Sequence, residues 1–167
     1  MSVVEQLLDY SGIGSKRMAL RWVSAAEGQI FADTVKELTE STKELGPFDA
    51  QAYKLQLAAV ERVLQGPRVR WMTGVDLHVT ERGNVYGEKV DEQAFRAMFD
   101  QSLKEEYEKA LILEALGDGP SSVREMAGKT GLPVYTVSVR LNDLERRGLA
   151  DLQKFEGSTP RFVRLAA

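Results

Sequence analysis

The chain has 167 residues, a formal net charge of −3 and a mean hydropathy of −0.28. A hydrophobic fraction of 43% with 28% charged residues argues against wholesale disorder. The sequence has no cysteine, which excludes disulfides, thiolate-bound zinc and ordinary iron–sulfur ligation. Neither a membrane span nor a secretory leader is predicted, so a cytoplasmic location is expected.

The first 47 residues predict a helix, a strand and a second helix. Residues 1–10 carry apolar side chains at helical spacing and are followed by Gly12 and Gly14, which stop the first helix. The run Met18–Val23 predicts a strand without an obvious strand neighbour before residue 68, although 69–72 and 77–79 are possible internal partners. Ser24 and Glu27 have capping-box spacing and predict the start of a helix that ends near Leu45.

The middle of the chain predicts two further helices. Asp49 can cap a helix that Gly66–Pro67 stops, and residues 68–90 are expected to be irregular or β, with a turn at 81–84. A longer helix from Asp91 to about Gly117 carries apolar side chains at four-residue steps, which predicts a buried face. Its charged run 105–109 is expected to be a solvated face.

The last 50 residues predict a winged helix. Ser122 and Glu125 form a second capping box, the turn 131–133 leads into a helix over about 134–147, and two strand-like runs follow over 149–155 and 161–165. Helix, turn, helix and hairpin in this order are typical of the winged helix-turn-helix. The fold class is therefore mainly α with small β elements (α+β). Its predicted domains are residues 1–47, a helical linker region with a short β segment over 48–117, and the winged helix over 118–167.

The sequence does not predict independent catalysis. It has one histidine, His78, and no cysteine, so no nucleophile–base arrangement of the Ser-His-Asp type has a second candidate base. A lone histidine also lacks the further nitrogen or sulfur ligands that an imidazole metal site needs. No catalytic, cofactor-binding or metal-ligating residue is assigned.

The residues on the outward face of the second helix of the predicted winged helix bear on two alternative functions. Bases and phosphates are usually contacted by several Arg, Lys, Asn or Gln side chains. Here Val139 is central on that face, which favours protein docking through Tyr135, Val139 and Asn142. The alternative is a DNA-binding transcriptional regulator, and its candidate residues are Ser138, Arg146, Lys154 and Arg161.

Residues 12–47 resemble the delta subunit of methyl-viologen-reducing hydrogenases. The resemblance lies in Gly12-Ile13, in the run Arg17–Gly28, in Phe31-Ala32 and in Glu44–Pro47, and it covers the second half of that subunit's domain. A looser likeness extends to 83–89 and to the winged helix. The family's cluster cysteines lie in the half that has no counterpart here, so no cluster ligand is carried over to this chain.

The resemblance implies a non-catalytic docking subunit of a heterodisulfide-reductase-like electron-transfer complex, a class that includes flavin-based bifurcating ones. Implied partners are flavin and iron–sulfur subunits, which would carry iron–sulfur clusters and FAD, and a hydrogenase or formate dehydrogenase. The chain itself would hold no cofactor. In the family the strand 18–23 would join a sheet from the other half-domain, so Leu20, Trp22, Ser24 and Glu27 are expected to bind a partner.

Overall fold

The computed structural model describes residues 3–24, 27–83 and 86–165, which fall into two compact units, residues 1–54 and 55–167. The first unit contains α1 (Val3–Tyr10), a 3₁₀ turn (Ser15–Arg17) and α2 (Gly28–Leu45). The helix α3 (Lys54–Gln65) begins at the boundary. The second unit continues with α4 (Pro67–Leu77), a π-helical turn (His78–Arg82), α5 (Glu92–Ala115), α6 (Val123–Thr130), α7 (Val134–Arg146), β1 (Ala150–Glu156) and β2 (Thr159–Arg164). The predicted mainly α fold with small β elements is confirmed.

The first helix ends where glycine allows a left-handed backbone. Gly12 and Gly14 have φ values of 74° and 87°, which side chains with a Cβ rarely adopt. The Ser11 hydroxyl donates to the Leu8 carbonyl at 2.7 Å, and the Gly14 amide donates to the same carbonyl at 3.0 Å. These bonds satisfy the last turn of α1 and turn the chain toward the 3₁₀ turn.

The predicted strand over 18–23 is not formed among the described residues. Met18 is extended, with φ −119° and ψ 133°, but residues 18–24 have no regular secondary structure. The proposed internal partners, 69–72 and 77–79, are wrong because they lie in α4 and the π-helical turn. A strand is defined by its ladder of hydrogen bonds, and helical backbones cannot supply one.

The middle of the chain is more helical than the sequence suggests. Gly66 is extended and precedes Pro67, which occupies the first turn of α4, so the expected stop starts a new helix. The expectation of irregular or β structure over 68–90 is wrong for 68–82. Gly83 follows at φ 81°, and a Cβ there would lie 2.9 Å from the Glu88 carbonyl oxygen. The predicted turn 81–84 lies partly outside the described residues, as does the looser likeness at 83–89.

The long helix and the winged helix form as predicted. Asp91 accepts a hydrogen bond from the Ala94 amide at 2.9 Å and caps α5, whose buried stripe includes Phe95, Leu103 and Tyr107. Both halves of the Ser122–Glu125 capping box are present at α6. The core beneath the winged helix consists of Ile112, Leu113, Leu116, Met126, Val137, Leu141, Leu144 and Ala150.

The wing is a two-stranded antiparallel sheet that is tied to the chain before α6. Strands β1 and β2 pair with a bulge between Leu152 and Lys154. Ser121 and Phe162 exchange two backbone hydrogen bonds of 3.0 Å each. The wing is therefore fixed at its base, whereas most of β1 is exposed.

Candidate docking surfaces

Helix α2 has an apolar stripe that the described residues leave uncovered. None of its 18 residues is buried. Phe31, Val35 and Leu38 lie on one side at helical spacing, and Phe31 and Val35 are 60% and 45% exposed. Most helices in folded proteins are stabilised by packing of such a stripe. A stripe without such packing is a candidate docking surface.

Arg17 ties the segment before α2 to the far end of that helix. Its guanidinium donates to the carbonyls of Leu45 at 2.8 Å and Gly46 at 3.2 Å, and it lies 5.3 Å from the centre of the Phe48 ring. Phe48 stacks on Tyr53 at 5.5 Å. The contact places a cation at the negative end of the helix dipole and satisfies carbonyls that have no partner in the helix.

This contact favours an extended path for residues 18–24. An 18-residue helix is about 27 Å long, and the chain must return along it from Arg17 to the start of α2. The ten residues 18–27 reach about 33 Å when fully extended, so they span the helix on a largely extended path, at the end of which the Glu27 amide donates to the Ser24 carbonyl at 3.0 Å. Arg21 lies 3.7 Å from Glu37 of α2, which confirms that the segment runs beside the helix.

The partner-binding residues predicted in this segment are strongly exposed. Leu20 and Trp22 are 69% and 90% exposed, and Glu27 is exposed at the start of α2. The Ser24 amide donates to a Glu27 carboxylate oxygen at 3.2 Å, which is the glutamate half of the predicted capping box. Residues 25 and 26, inside that box, lie outside the described residues. The helix begins at Gly28, with no cap from the Glu27 side chain.

The outward face of α7 combines the residues predicted for docking with two of those predicted for DNA binding. Tyr135 is 79% exposed and Val139 is 37% exposed. Ser138, Asn142 and Arg146 are exposed on the same helix. Arg146 has no carboxylate partner among the described residues.

The cations of the wing are held by carboxylates of the same domain. Lys154 lies 3.1 Å from Glu156, and Arg161 lies 2.8 Å from Glu156 and also contacts Glu125. The hydrogen bond from Ser122 and the pairing with Arg161 lower the pKa of Glu125 below its ordinary value. Phosphate contacts from Lys154 or Arg161 would therefore compete with existing ion pairs, which weakens the DNA-binding alternative at the wing.

A cluster of ion pairs around Glu106 was missed from the sequence. The expectation that 105–109 is a solvated face is wrong, because Tyr107, Glu108 and Lys109 are 4%, 7% and 3% exposed. Lys109 and Arg68 each lie 3.1 Å from Glu106, and Arg147 lies 3.3 Å away. Burial opposes the charge of Glu106, but the hydrogen bond from Lys109 and the three cations outweigh it and lower its pKa.

A cleft of about 580 Å³ lies beside this cluster in the second unit. Its charged lining residues are Glu61, Arg62, Arg68, Glu106, Lys109, Glu114 and Arg147. Arg62 pairs with Glu114, and Arg68, Lys109 and Arg147 pair with Glu106. Three of its four cations share the single carboxylate Glu106, and the lining as a whole has four cations and three carboxylates, so the cleft keeps a net charge of only +1.

The described residues contain no cluster of three or more side chains suited to hold a metal ion. Within the same part of the chain, every helix is too short or too polar to cross a bilayer.

In comparison with known proteins, the two ends of the chain match two different protein families. Residues 1–46 match the family described as methyl-viologen-reducing hydrogenase, delta subunit. Residues 106–158 match the MarR family, and this stretch covers the winged helix as far as β1. Both resemblances inferred from the sequence, to a winged helix and to the hydrogenase delta subunit, are confirmed.

Two of the relatives are much larger proteins, of which this chain covers a small part. The ferredoxin/F(420)H(2)-dependent CoB-CoM heterodisulfide reductase subunit of Methanosarcina acetivorans is 33% identical over 67 residues, which are 39% of this chain and 8% of the relative. The ferredoxin:CoB-CoM heterodisulfide reductase subunit of Methanosarcina mazei is 33% identical over 51 residues, 30% of this chain and 6% of the relative.

A third relative is a smaller protein. The F420-non-reducing hydrogenase vhu iron-sulfur subunit of Methanococcus maripaludis is 42% identical over 43 residues, 26% of this chain and 32% of the relative. The chain thus spans less than a tenth of the two reductase subunits and about a third of the hydrogenase subunit. No solved structure matches it at a significant level.

Proposed function

We propose that this chain is a non-catalytic docking subunit of an electron-transfer complex of the heterodisulfide reductase and hydrogenase type. The observation that carries the proposal is the apolar stripe of α2. It lies in the segment that matches the delta-subunit family, and it is exposed at Phe31 and Val35 and half-buried at Leu38. An exposed apolar stripe of this kind lowers the solubility of a protein unless another chain covers it.

The proposed partner, called the reductase subunit below, is the homologue in the same organism of the two Methanosarcina heterodisulfide reductase subunits. Stretches similar to this chain occur inside those two proteins and in the separate iron-sulfur subunit of a hydrogenase. A segment that is shared by reductase subunits and a hydrogenase subunit supports an assembly that contains both. Iron–sulfur clusters and FAD would be carried by the partners, and a hydrogenase or formate dehydrogenase would be a further component.

The test is a binding measurement between the full chain and the reductase subunit. Phe31→Glu places a charge at the largest side chain of the stripe, while Lys36→Glu introduces the same residue on the opposite side of α2. A central interface contact contributes about 2 kcal/mol, so Phe31→Glu should weaken binding about 30-fold. Lys36→Glu should change it less than threefold, or about 0.6 kcal/mol.

Both substituted side chains are exposed, so neither variant should lose more than about 0.5 kcal/mol of folding free energy. Equal losses of binding in both variants, or no binding by the unaltered chain, would contradict the proposal.

A DNA-binding regulator is the second candidate, because the MarR family matches residues 106–158 and Arg146 is free of carboxylates among the described residues. Against it stand the paired cations of the wing and the apolar centre of the α7 face. Titration with DNA from upstream of the gene at several salt concentrations separates the two candidates. Sequence-selective binding with a steep salt dependence would favour the regulator.

A further inference from the structure

The segment before α2 presents an unpaired backbone edge. Among the residues that the structure describes, no acceptor receives a hydrogen bond from the backbone amides of 19–23. The Met18 amide before them donates to Ser15, and the Ser24 amide after them donates to Glu27. Five consecutive amides are thus left open, in a stretch that follows the Arg17 contact and passes beside α2 at Arg21.

The side chains of this stretch alternate as they do in a strand. Arg21 reaches Glu37 on α2, so in an extended backbone its neighbours point to the opposite side. Those neighbours are Leu20 and Trp22, the two most exposed large apolar residues of the unit. One face of the segment is therefore turned toward α2 and the other is apolar. Among the described residues its backbone edges are open except at the Leu20 carbonyl, which accepts from the Arg21 guanidinium at 3.4 Å.

The charge of the stretch indicates what can lie beside it. Residues 10–26 contain Lys16, Arg17 and Arg21 and no aspartate or glutamate, and only Arg21 of the three has a carboxylate partner among the described residues. A second copy of this chain paired along the same edge would set like charges opposite each other, which is destabilising. A strand that carries carboxylates would complement them.

We propose that residues 18–24 add as a strand to the edge of a β-sheet in the reductase subunit, at an edge that carries acidic side chains. The inference rests on the proposed function, and it specifies how the partner is bound. Extended segments that add to a sheet gain affinity from main-chain hydrogen bonds and selectivity from alternate side chains. Here Trp22 and Leu20 would pack on the partner, and the α2 stripe would bind beside them.

Strand addition makes a prediction that simple apolar contact does not. Along a strand, successive amides point to opposite edges, so only every second amide of 19–23 faces the partner. Hydrogen exchange of the full chain, measured by NMR with and without the reductase subunit, should show protection with a period of two over these residues. Amides that form ladder bonds should exchange at least about tenfold more slowly in the complex.

Replacement of single amides by esters tests the same bonds without changing side chains. One variant replaces Leu20 and the other replaces Arg21 by the corresponding α-hydroxy acid, which removes the donor of that residue. Only one of the two donors can face the partner edge, so one variant should weaken binding about three- to tenfold. The other serves as the matched control and should bind as the unaltered chain does.

The outcomes separate this inference from the proposed function. If the chain binds the reductase subunit but residues 19–23 stay unprotected, or both esters bind equally well, strand addition is wrong and the docking function stands. If the unaltered chain does not bind the reductase subunit, both are wrong. Self-association of the free chain with the same periodic protection would overturn the choice of partner, because a second copy would then occupy the edge.

Discussion

The guanidinium of Arg140 lies 2.7 Å from a carboxylate oxygen of Glu108, and this ion pair joins α7 of the winged helix to α5. Arg140 also reaches Glu105 at 3.6 Å, and Lys109 beside Glu108 lies 3.9 Å from Asp143 of α7. The Glu108 and Arg140 side chains are only 9% and 19% exposed. The orientation of α7 is therefore fixed by charges as well as by its apolar core.

Arg140→Met should destabilise the second unit substantially. The substitution leaves the nearly buried Glu108 carboxylate without its closest cation, and loss of one partner of such a pair costs about 3 kcal/mol. Denaturant unfolding monitored by circular dichroism measures the change. Arg96→Met is the matched control, because its partner Glu92 lies on the solvated side of α5 and both side chains are more than 60% exposed. The control should cost less than about 0.5 kcal/mol, and equal effects would contradict the assigned role of Arg140.

The lowered pKa of Glu106 predicts a loss of stability in acid. A carboxyl group whose pKa is lower in the folded chain stabilises the fold above its unfolded pKa, for which the ordinary value is 4.5. That contribution disappears as the pH falls below this value and through the folded pKa. Urea unfolding of the unaltered chain and of Glu106→Gln between pH 7 and 3 measures it. The difference in unfolding free energy between the two proteins should shrink toward acid, and a difference that is independent of pH would refute the prediction.

The outward face of α7 distinguishes docking from DNA binding by two substitutions. Val139→Glu should weaken binding to the partner complex by about 2 kcal/mol if this face is a central contact. Arg146→Ala should have little effect on that binding. If the face contacts DNA instead, Arg146→Ala should make the dependence of DNA affinity on salt concentration less steep, by about the amount that one phosphate contact contributes to the slope. Binding to both ligands is measured on the same preparations, with thermal unfolding as the check that each variant is folded.

The absence of cysteine predicts that the purified chain is colourless and binds neither iron, zinc nor flavin. Elemental analysis and the visible absorption spectrum of the isolated full chain decide this. A stoichiometric metal or a flavin band would overturn the expectation that the cofactors belong to the partners.

The sequence predicted best where local signals and the tertiary environment agree. The capping box at Ser122, the stripe of α5 and the order of the winged helix are local patterns, and the structure confirms them. Prediction from the sequence failed where one local pattern is compatible with two different structures. Gly66–Pro67 both ends α3 and begins α4, since proline fits the first turn of a helix as well as the residue after one.

The cluster of ion pairs around Glu106 could not be predicted from the spacing of residues along α5 alone. Glu106 lies in a run of charges that alone suggests solvent, and its cations come from α4, from α5 and from Arg147 at the end of α7. One available signal was the placement of Tyr107 on the apolar stripe of α5, which draws its neighbours toward the core. The unpaired stretch over 18–23 was anticipated as a segment without a partner, but its tether through Arg17 depends on a contact 28 residues away in the chain.

The tether between Arg17 and the end of α2 makes the lengths of two segments depend on each other. Removal of one turn of α2 shortens the helix by about 5.4 Å, which corresponds to fewer than two residues of extended chain at about 3.3 Å each. An insertion between residues 18 and 24 would allow the open backbone to form a loop and would shift the alternation of its side chains, while the side chains of α2 stay in place. The length of α2 thus sets the distance that the neighbouring segment must span. That length therefore affects the proposed docking surface, although the backbone of α2 makes none of the proposed hydrogen bonds.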